Sequence, residues 1–133
     1  MSLPNGVLLD TSVIIDLPHL DLGDLATTPA AVSAVSIGEL GCGLDIDDPI
    51  ERAARTERYY TMLDQFEVLP FDLASAKRYA VLATLVRRAG RDPRPRRMDL
   101  RIAATAGVHG LPLLTRNAKD FVGLERALDV IRI

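Results

Sequence analysis

Short runs made only of apolar residues alternate along this chain with longer segments of helical periodicity. The first run, Val7-Leu8-Leu9, has no polar position, which is typical of a strand buried on both faces. Similar runs lie at residues 31–35, 68–69, 113–114 and 130–131. Strands that alternate with helices are joined by crossover connections, so the sequence predicts an α/β sandwich with a mostly parallel central sheet of about five strands.

Apolar residues recur at helical spacing in the segments between these runs. The predicted helices span residues 36–44, 49–66, 73–89 and 98–109. Gly110 follows the last of them, where glycine commonly ends a helix. With 133 residues the chain has the size of one ordinary domain, so we expect a single domain over residues 1–133.

Arginine is concentrated in one part of the chain. Seven of the residues between 87 and 101 are arginines, although the whole chain carries a net charge of −2. Two prolines within residues 90–97 indicate that this part is a loop. A run of arginines is either a solvated face or a local surface that binds nucleic acid, and the sequence leaves both interpretations open.

Three acidic residues lie where predicted strands or loops lead into helices. Asp10 follows the first apolar run, Glu39 lies at the head of the next helix, and Asp99 lies in the first turn of the last helix. Each has a structural explanation: Asp10 as a helix N-cap, Glu39 in a capping box with Ser36, and Asp99 beside the helix dipole. The carboxyl ends of parallel strands meet at one edge of a sheet, however, so we expect the three carboxylates to converge.

Carboxylates that converge repel one another unless a cation lies between them. Oxygen ligands favour a hard ion such as Mg²⁺, with Mn²⁺ as a substitute, and no cysteines and histidines have the spacing of zinc ligands. Mg²⁺ usually completes its coordination with water and phosphate oxygens. The sequence therefore predicts a substrate that carries a phosphate.

Polar residues also follow the fourth apolar run. Thr115 has a hydroxyl that can donate to a carboxylate or a phosphate, and Asn117 or Asp120 can add a further oxygen ligand. Asparagine and aspartate are also common in turns, so ordinary turn chemistry is the other interpretation of these two residues.

Cys42 is the only cysteine, so no intrachain disulfide forms and we expect a reducing compartment, the cytoplasm. No stretch approaches the roughly 18 uninterrupted apolar residues of a membrane helix, so no association with a membrane is expected.

Four short motifs follow one another along nearly the whole chain. They are Leu9-Asp10-Thr11-Ser12, Ser36-Ile37-Gly38-Glu39-Leu40, Asp99 with Ile102-Ala103-Ala104-Thr105-Ala106, and Leu114-Thr115-Arg116-Asn117 with Asp120-Phe121. The ordered set resembles the PIN-domain ribonucleases and, more narrowly, the VapC-type toxins of bacterial toxin–antitoxin systems. The resemblance implies a PIN-like α/β/α sandwich.

The resemblance also implies a Mg²⁺-dependent endoribonuclease in which Asp10, Glu39 and Asp99 form the catalytic metal site. Many relatives have an aspartate where Asn117 stands. The fourth acidic contribution is therefore lost, supplied by the amide oxygen of Asn117, or shifted to Asp120.

Further residues and partners follow from the same resemblance. Ser12 and Thr115 are expected to support the metal ligands. The arginines expected to hold RNA phosphates are Arg116, Arg94, Arg96 and Arg97. Unpaired RNA is the expected substrate, because a single strand enters a crevice that a duplex does not. The expected protein partners are a second copy of the chain, in a homodimer, and a VapB-like antitoxin.

Other readings of the Asp10 motif are weaker. A phosphatase of the haloacid dehalogenase type needs a second acid two residues after the first, and Ser12 occupies that position. A receiver domain needs paired acids at the first strand and a lysine after the last, and neither is evident. A PIN-like module that binds RNA or protein without catalysis remains open, because Asn117 replaces an acid.

Overall fold

The structure, a computed structural model, describes residues 5–133. Within that part of the chain, a central sheet is built from β1 Val7–Leu9, β2 Ala30–Ser33, β3 Glu67–Leu69, β4 Leu113–Thr115 and β5 Val130–Arg132. The strand order is β3-β2-β1-β4-β5, and every neighbouring pair is parallel. This topology confirms the predicted fold class.

Helices connect the strands and cover both faces of the sheet. They are α1 Thr11–Asp16, α2 Ala34–Cys42, α3 Pro49–Gln65, α4 Leu73–Arg88 and α5 Arg97–Val108. No helix within residues 5–133 combines the length and the apolar character needed to cross a bilayer.

The two cores follow from the alternation of side chains along the central strand β1. Leu8 belongs to a core that includes Leu82 of α4 and Leu100 of α5. Leu9 belongs to the opposite core, which includes Val13 of α1. Because both faces of β1 are covered, its three residues are all buried, which explains the uniformly apolar run in the sequence.

The boundary between β2 and α2 differs from the prediction. The strand ends at Ser33 rather than at Val35, and the helix begins two residues before Ser36. Ser33 is the N-cap, since its Oγ accepts a hydrogen bond from the backbone N–H of Val35 at 3.0 Å. The apolar residues of the first helical turn continue the apolar run of the strand, so hydrophobicity alone did not mark the boundary.

This boundary removes the capping box from α2. Ser36 lies inside the helix and is fully buried, and Glu39 is the sixth residue of the helix, in its second turn. The structural explanation of Glu39 as a capping residue is therefore wrong.

We expect Ser33→Ala to lower the free energy of unfolding by about 1 kcal/mol, because it removes the N-cap of α2. Urea denaturation followed by circular dichroism measures this change. Glu39→Ala is the matched control and should stay within about 0.5 kcal/mol of the parent. A loss with Glu39→Ala as large as that with Ser33→Ala would restore the capping role of Glu39, since alanine removes a capping side chain that glutamine would retain.

Candidate metal centre

Asp10 and Thr115 lie side by side at the carboxyl ends of two paired strands. The register joins Leu9 of β1 to Leu114 of β4, so the residues that follow them are also neighbours. The Thr115 hydroxyl donates to Asp10 Oδ2 at 2.8 Å, and the Ser12 hydroxyl donates to the same oxygen at 2.9 Å. Both hydroxyls thus fix one oxygen of the Asp10 carboxylate.

Asp10 is not a working helix cap. It stands at the N-cap position of α1, but its side chain accepts no hydrogen bond from the backbone of that helix. Asp48 and Asp72, in contrast, accept backbone hydrogen bonds at the starts of α3 and α4. Asp10 is 4% exposed, and its Oδ1 has no hydrogen-bond partner. A buried carboxylate oxygen without a donor is unfavourable unless a cation or water meets it.

Glu39 reaches the same edge of the sheet from α2. The hydroxyl of Thr11, the first residue of α1, donates to Glu39 Oε1 at 3.0 Å. The same hydroxyl lies 2.8 Å from the buried hydroxyl of Ser36. These contacts fix the Glu39 carboxylate against the start of α1, close to Asp10.

Asp99 completes the group from the first turn of α5. Burial and the negative charges of Asp10, Asp120 and Glu39 together raise the pKa of Asp99 to about 6, against the opposing effect of Arg96. The carboxylates therefore share one local electrostatic field, as the sequence predicted for Asp10, Glu39 and Asp99.

Asp120 and Asn117 differ in their surroundings. Asp120 lies in the short 3₁₀ turn Ala118–Phe121, and its Oδ1 is 2.5 Å from Arg96 Nη1. Asn117 is exposed, and its backbone N–H donates to the Thr115 hydroxyl at 3.0 Å. The two candidates for the fourth metal position therefore differ, because Asp120 already has a cationic partner.

The residues present fit a hard divalent cation. The converging side chains offer carboxylate and hydroxyl oxygens, and one buried carboxylate oxygen, Asp10 Oδ1, lacks a donor. Within residues 5–133, however, no three histidine, cysteine, aspartate or glutamate side chains are close enough to form a finished metal site. Binding of an ion therefore requires the carboxylates to draw together.

Ser12 and Thr115 hold Asp10 from two directions. Thr115 is fully buried, and Ser12 also accepts a hydrogen bond from the backbone N–H of Arg116 at 3.3 Å. The segment after β4 is thereby tied to the segment after β1. These contacts agree with the supporting role expected of both hydroxyls.

The four arginines named from the sequence are not equivalent. Arg94 makes an ion pair with Asp92, Arg96 with Asp120, and Arg116 with Asp16. Arg97 is exposed and has no ion pair among the described residues. It lines a cavity of about 320 Å³ together with Glu39 and Asp99. Arg97 is therefore a cation beside Glu39 and Asp99 that is not paired with an acid among the described residues.

A second cavity, which the sequence did not indicate, lies on the other side of Glu39. It has a volume of about 500 Å³ and is bordered by α1, α2 and α3. Its lining includes Arg55, Arg58 and Tyr59 of α3, together with His19. Arg55 and Arg58 are three residues apart and so share a helix face. Only the fold places that face beside Glu39, so the spacing by itself carried no functional signal.

Comparisons with known proteins agree with this fold. The family profile of the PIN domain matches residues 7–126, and the chain belongs to the PIN domain family. Within that family its relatives include ribonucleases named VapC. Ribonuclease VapC4 of Mycobacterium tuberculosis is 36% identical over 112 residues, which cover 83% of this chain and 85% of the relative. Ribonuclease VapC1 of Rickettsia felis is 30% identical and covers 96% of both chains.

Solved structures show the same architecture. A VapBC-5 toxin–antitoxin structure from Mycobacterium tuberculosis matches with a TM-score of 0.80 and 32% identity, covering 98% of this chain and all of the other. FitAcB from Neisseria gonorrhoeae matches with a TM-score of 0.77 and 26% identity, covering 95% of this chain and 96% of the other.

We expect Asp99→Asn to stabilise the metal-free protein in a pH-dependent way. The pKa of folded Asp99, about 6, lies above its ordinary value of 3.8, so the folded state binds the proton more tightly than the unfolded state. The stability of the parent should therefore fall between about pH 4 and pH 6, and this contribution is absent from the variant. The variant should melt at nearly the parent temperature at pH 4, and about 3 °C higher at pH 7.5.

Thermal unfolding in EDTA across this pH range measures the difference. Asp64→Asn is the matched control, because Asp64 is exposed on α3 and has no ion pair among the described residues. Its difference from the parent should not vary in this way. A lower melting temperature for Asp99→Asn at pH 7.5 would favour the interpretation of Asp99 as a stabilising partner of the α5 dipole.

Proposed function

We propose that the protein is a Mg²⁺-dependent endoribonuclease toxin that a VapB-like antitoxin neutralises. The observation that carries this proposal is the buried, unpartnered oxygen of Asp10, together with the negative field that Asp10, Asp120 and Glu39 exert on Asp99. Ribonucleases named VapC among the relatives support the same activity. Mn²⁺ is the expected substitute for Mg²⁺, because both ions accept oxygen ligands.

Asp10 and Asp99 would hold the ion, with Glu39 beside them. A bound divalent cation neutralises charge on the scissile phosphate and lowers the pKa of an attacking water. The hydroxyls of Ser12 and Thr115 keep one oxygen of Asp10 fixed, which leaves Oδ1 for the ion.

Glu39 would orient the attacking water and accept its proton. Its carboxylate is held at Oε1 by the Thr11 hydroxyl, so its position is defined before substrate binds. In-line attack on phosphorus would break the bond to the 3′ oxygen, and the product would carry a 5′-phosphate.

The substrate is proposed to be single-stranded RNA that crosses the centre from one cavity to the other. Glu39 lines both cavities. Arg97 borders one of them and Arg58 the other, and neither makes an ion pair among the described residues. Arginines on both sides of an acidic centre would hold the phosphates that flank the scissile bond.

A second candidate is a PIN-like module that binds RNA or protein without cutting. Two observations favour it: Asn117 carries no charge, and Asp120 is paired with Arg96. Both reduce the number of carboxylates that remain for a metal ion. Cleavage assays with metal and with EDTA distinguish this candidate from the nuclease.

The proposed protein partners rest on the relatives and on the charge of the centre. The matched structure from Mycobacterium tuberculosis is a VapBC toxin–antitoxin system. An acidic centre attracts an arginine of a partner as well as a metal ion. The homodimer and the cytoplasmic location remain predictions, and light scattering on the purified chain measures the first.

We expect Asp10→Asn, Asp99→Asn and Glu39→Gln each to lower turnover by about 100-fold or more, because each removes a charge from the reacting centre. Purified protein is assayed on structured RNAs with Mg²⁺, Mn²⁺ or EDTA, and the cut ends are sequenced. Asp64→Asn should retain full turnover. Full activity of Glu39→Gln would remove Glu39 from the mechanism, and full activity in EDTA would contradict the role of the metal.

We expect Arg97→Ala and Arg58→Ala to weaken RNA binding in an Asp99→Asn background. Each should make the slope of log K against log salt shallower by roughly 0.7, the value for one lost phosphate contact on a single strand. Fluorescence anisotropy at several salt concentrations measures the slope. Arg94→Ala is the control with a smaller effect, because Asp92 already neutralises Arg94. Unchanged slopes for the first two variants would assign these arginines to a solvated surface.

A further inference from the structure

Arg96 points into the carboxylate group rather than into solvent. Its Nη1 is 2.5 Å from Asp120 Oδ1, and the two side chains are 29% and 24% exposed. Arg96 is thus a cation that the chain itself supplies to the acidic centre.

The backbone around Arg96 favours this position. Arg96 ends the short 3₁₀ turn Arg94–Arg96, and its N–H donates to the carbonyl oxygen of Pro93 at 3.0 Å. The next residue begins α5, which carries Asp99 in its first turn. A fixed turn followed directly by a helix limits where the Arg96 side chain can reach, and the guanidinium lies beside Asp120.

The arginine changes what the carboxylates can bind. In a site for two metal ions, the ions lie about 3.5–4 Å apart and share carboxylates. Such a site needs enough negative charge to balance both ions. The negative charge of Asp120 is balanced by its ion pair with Arg96. Asn117, the other candidate for the fourth metal position, carries no charge. Asp10 and Asp99 then remain, with Glu39, and these suit a single ion.

We propose that Arg96 takes the place of a second metal ion, so that the centre binds one divalent cation, at Asp10 and Asp99, and Asp120 is not a ligand. The proposal rests on the metal dependence proposed above. It makes Arg96 a positioning residue that sets the metal stoichiometry, rather than one of the arginines that hold RNA.

The test counts bound Mn²⁺ by electron paramagnetic resonance of the free ion at neutral pH, without RNA. The parent should bind one ion. Arg96→Ala frees Asp120 and should bind two, with the second weaker than the first. Arg96→Ala combined with Asp120→Asn should return to one, because the freed carboxylate is then also removed.

Two further variants serve as controls. Arg96→Lys keeps the positive charge and should bind one ion. Arg94→Ala breaks the Arg94–Asp92 pair in the same loop and should also bind one ion, because that pair does not involve the centre. Circular dichroism checks the fold of every variant, and the lysine variant covers the case in which alanine alone disturbs the loop.

The outcomes separate this inference from the proposed function. A parent that binds no Mn²⁺ would contradict the metal dependence, and the inference would fall with it. A parent that binds two ions, or an Arg96→Ala variant that folds and still binds one, would overturn the inference alone and leave a metal-dependent nuclease intact. Two ions bound to Arg96→Lys would show that the charge of Arg96 does not set the stoichiometry.

Discussion

The hydrogen bond from Thr115 to Asp10 is the contact on which the centre depends. It joins the ends of the neighbouring strands β1 and β4 between two side chains that are 0% and 4% exposed. The backbone N–H of Asn117 and the hydroxyl of Ser12 extend this contact to the segments that follow each strand. A buried bond to a carboxylate is stronger than one in water, so it orients Asp10 and keeps the two strand ends together.

The other carboxylates are gathered around Asp10 at a cost in stability. Burial and the charges of three neighbouring carboxylates raise the pKa of Asp99, which means that its charged form is less favourable in the folded protein than in water. Such a group persists because the parallel sheet and the cores on its two faces fix the helices that carry it. A bound cation would relieve the repulsion between the carboxylates. The free energy released in this way would add to the affinity of the centre for the ion.

The sequence predicted the parts of the centre that depend on strand ends, and missed the parts that depend on packing between distant segments. Asp10 and Thr115 follow apolar runs directly, so their meeting could be inferred from a parallel sheet alone. The end of β2 could not be located, because Ala34 and Val35 are as apolar as the strand before them. Arg96 and Asp120 are far apart in sequence, and no local pattern indicates that they form an ion pair.

An acidic centre proposed to act on RNA must satisfy opposite requirements, since carboxylates that attract a metal ion also repel phosphates. The net charge of −2 does not help, so the compensation has to be local. Arg97 and Arg58 lie on either side of Glu39, where flanking phosphates would pass, while Arg96 neutralises Asp120 within the group. Because each of these arginines lies at a different place around the carboxylates, the fold that separates them matters more than their number.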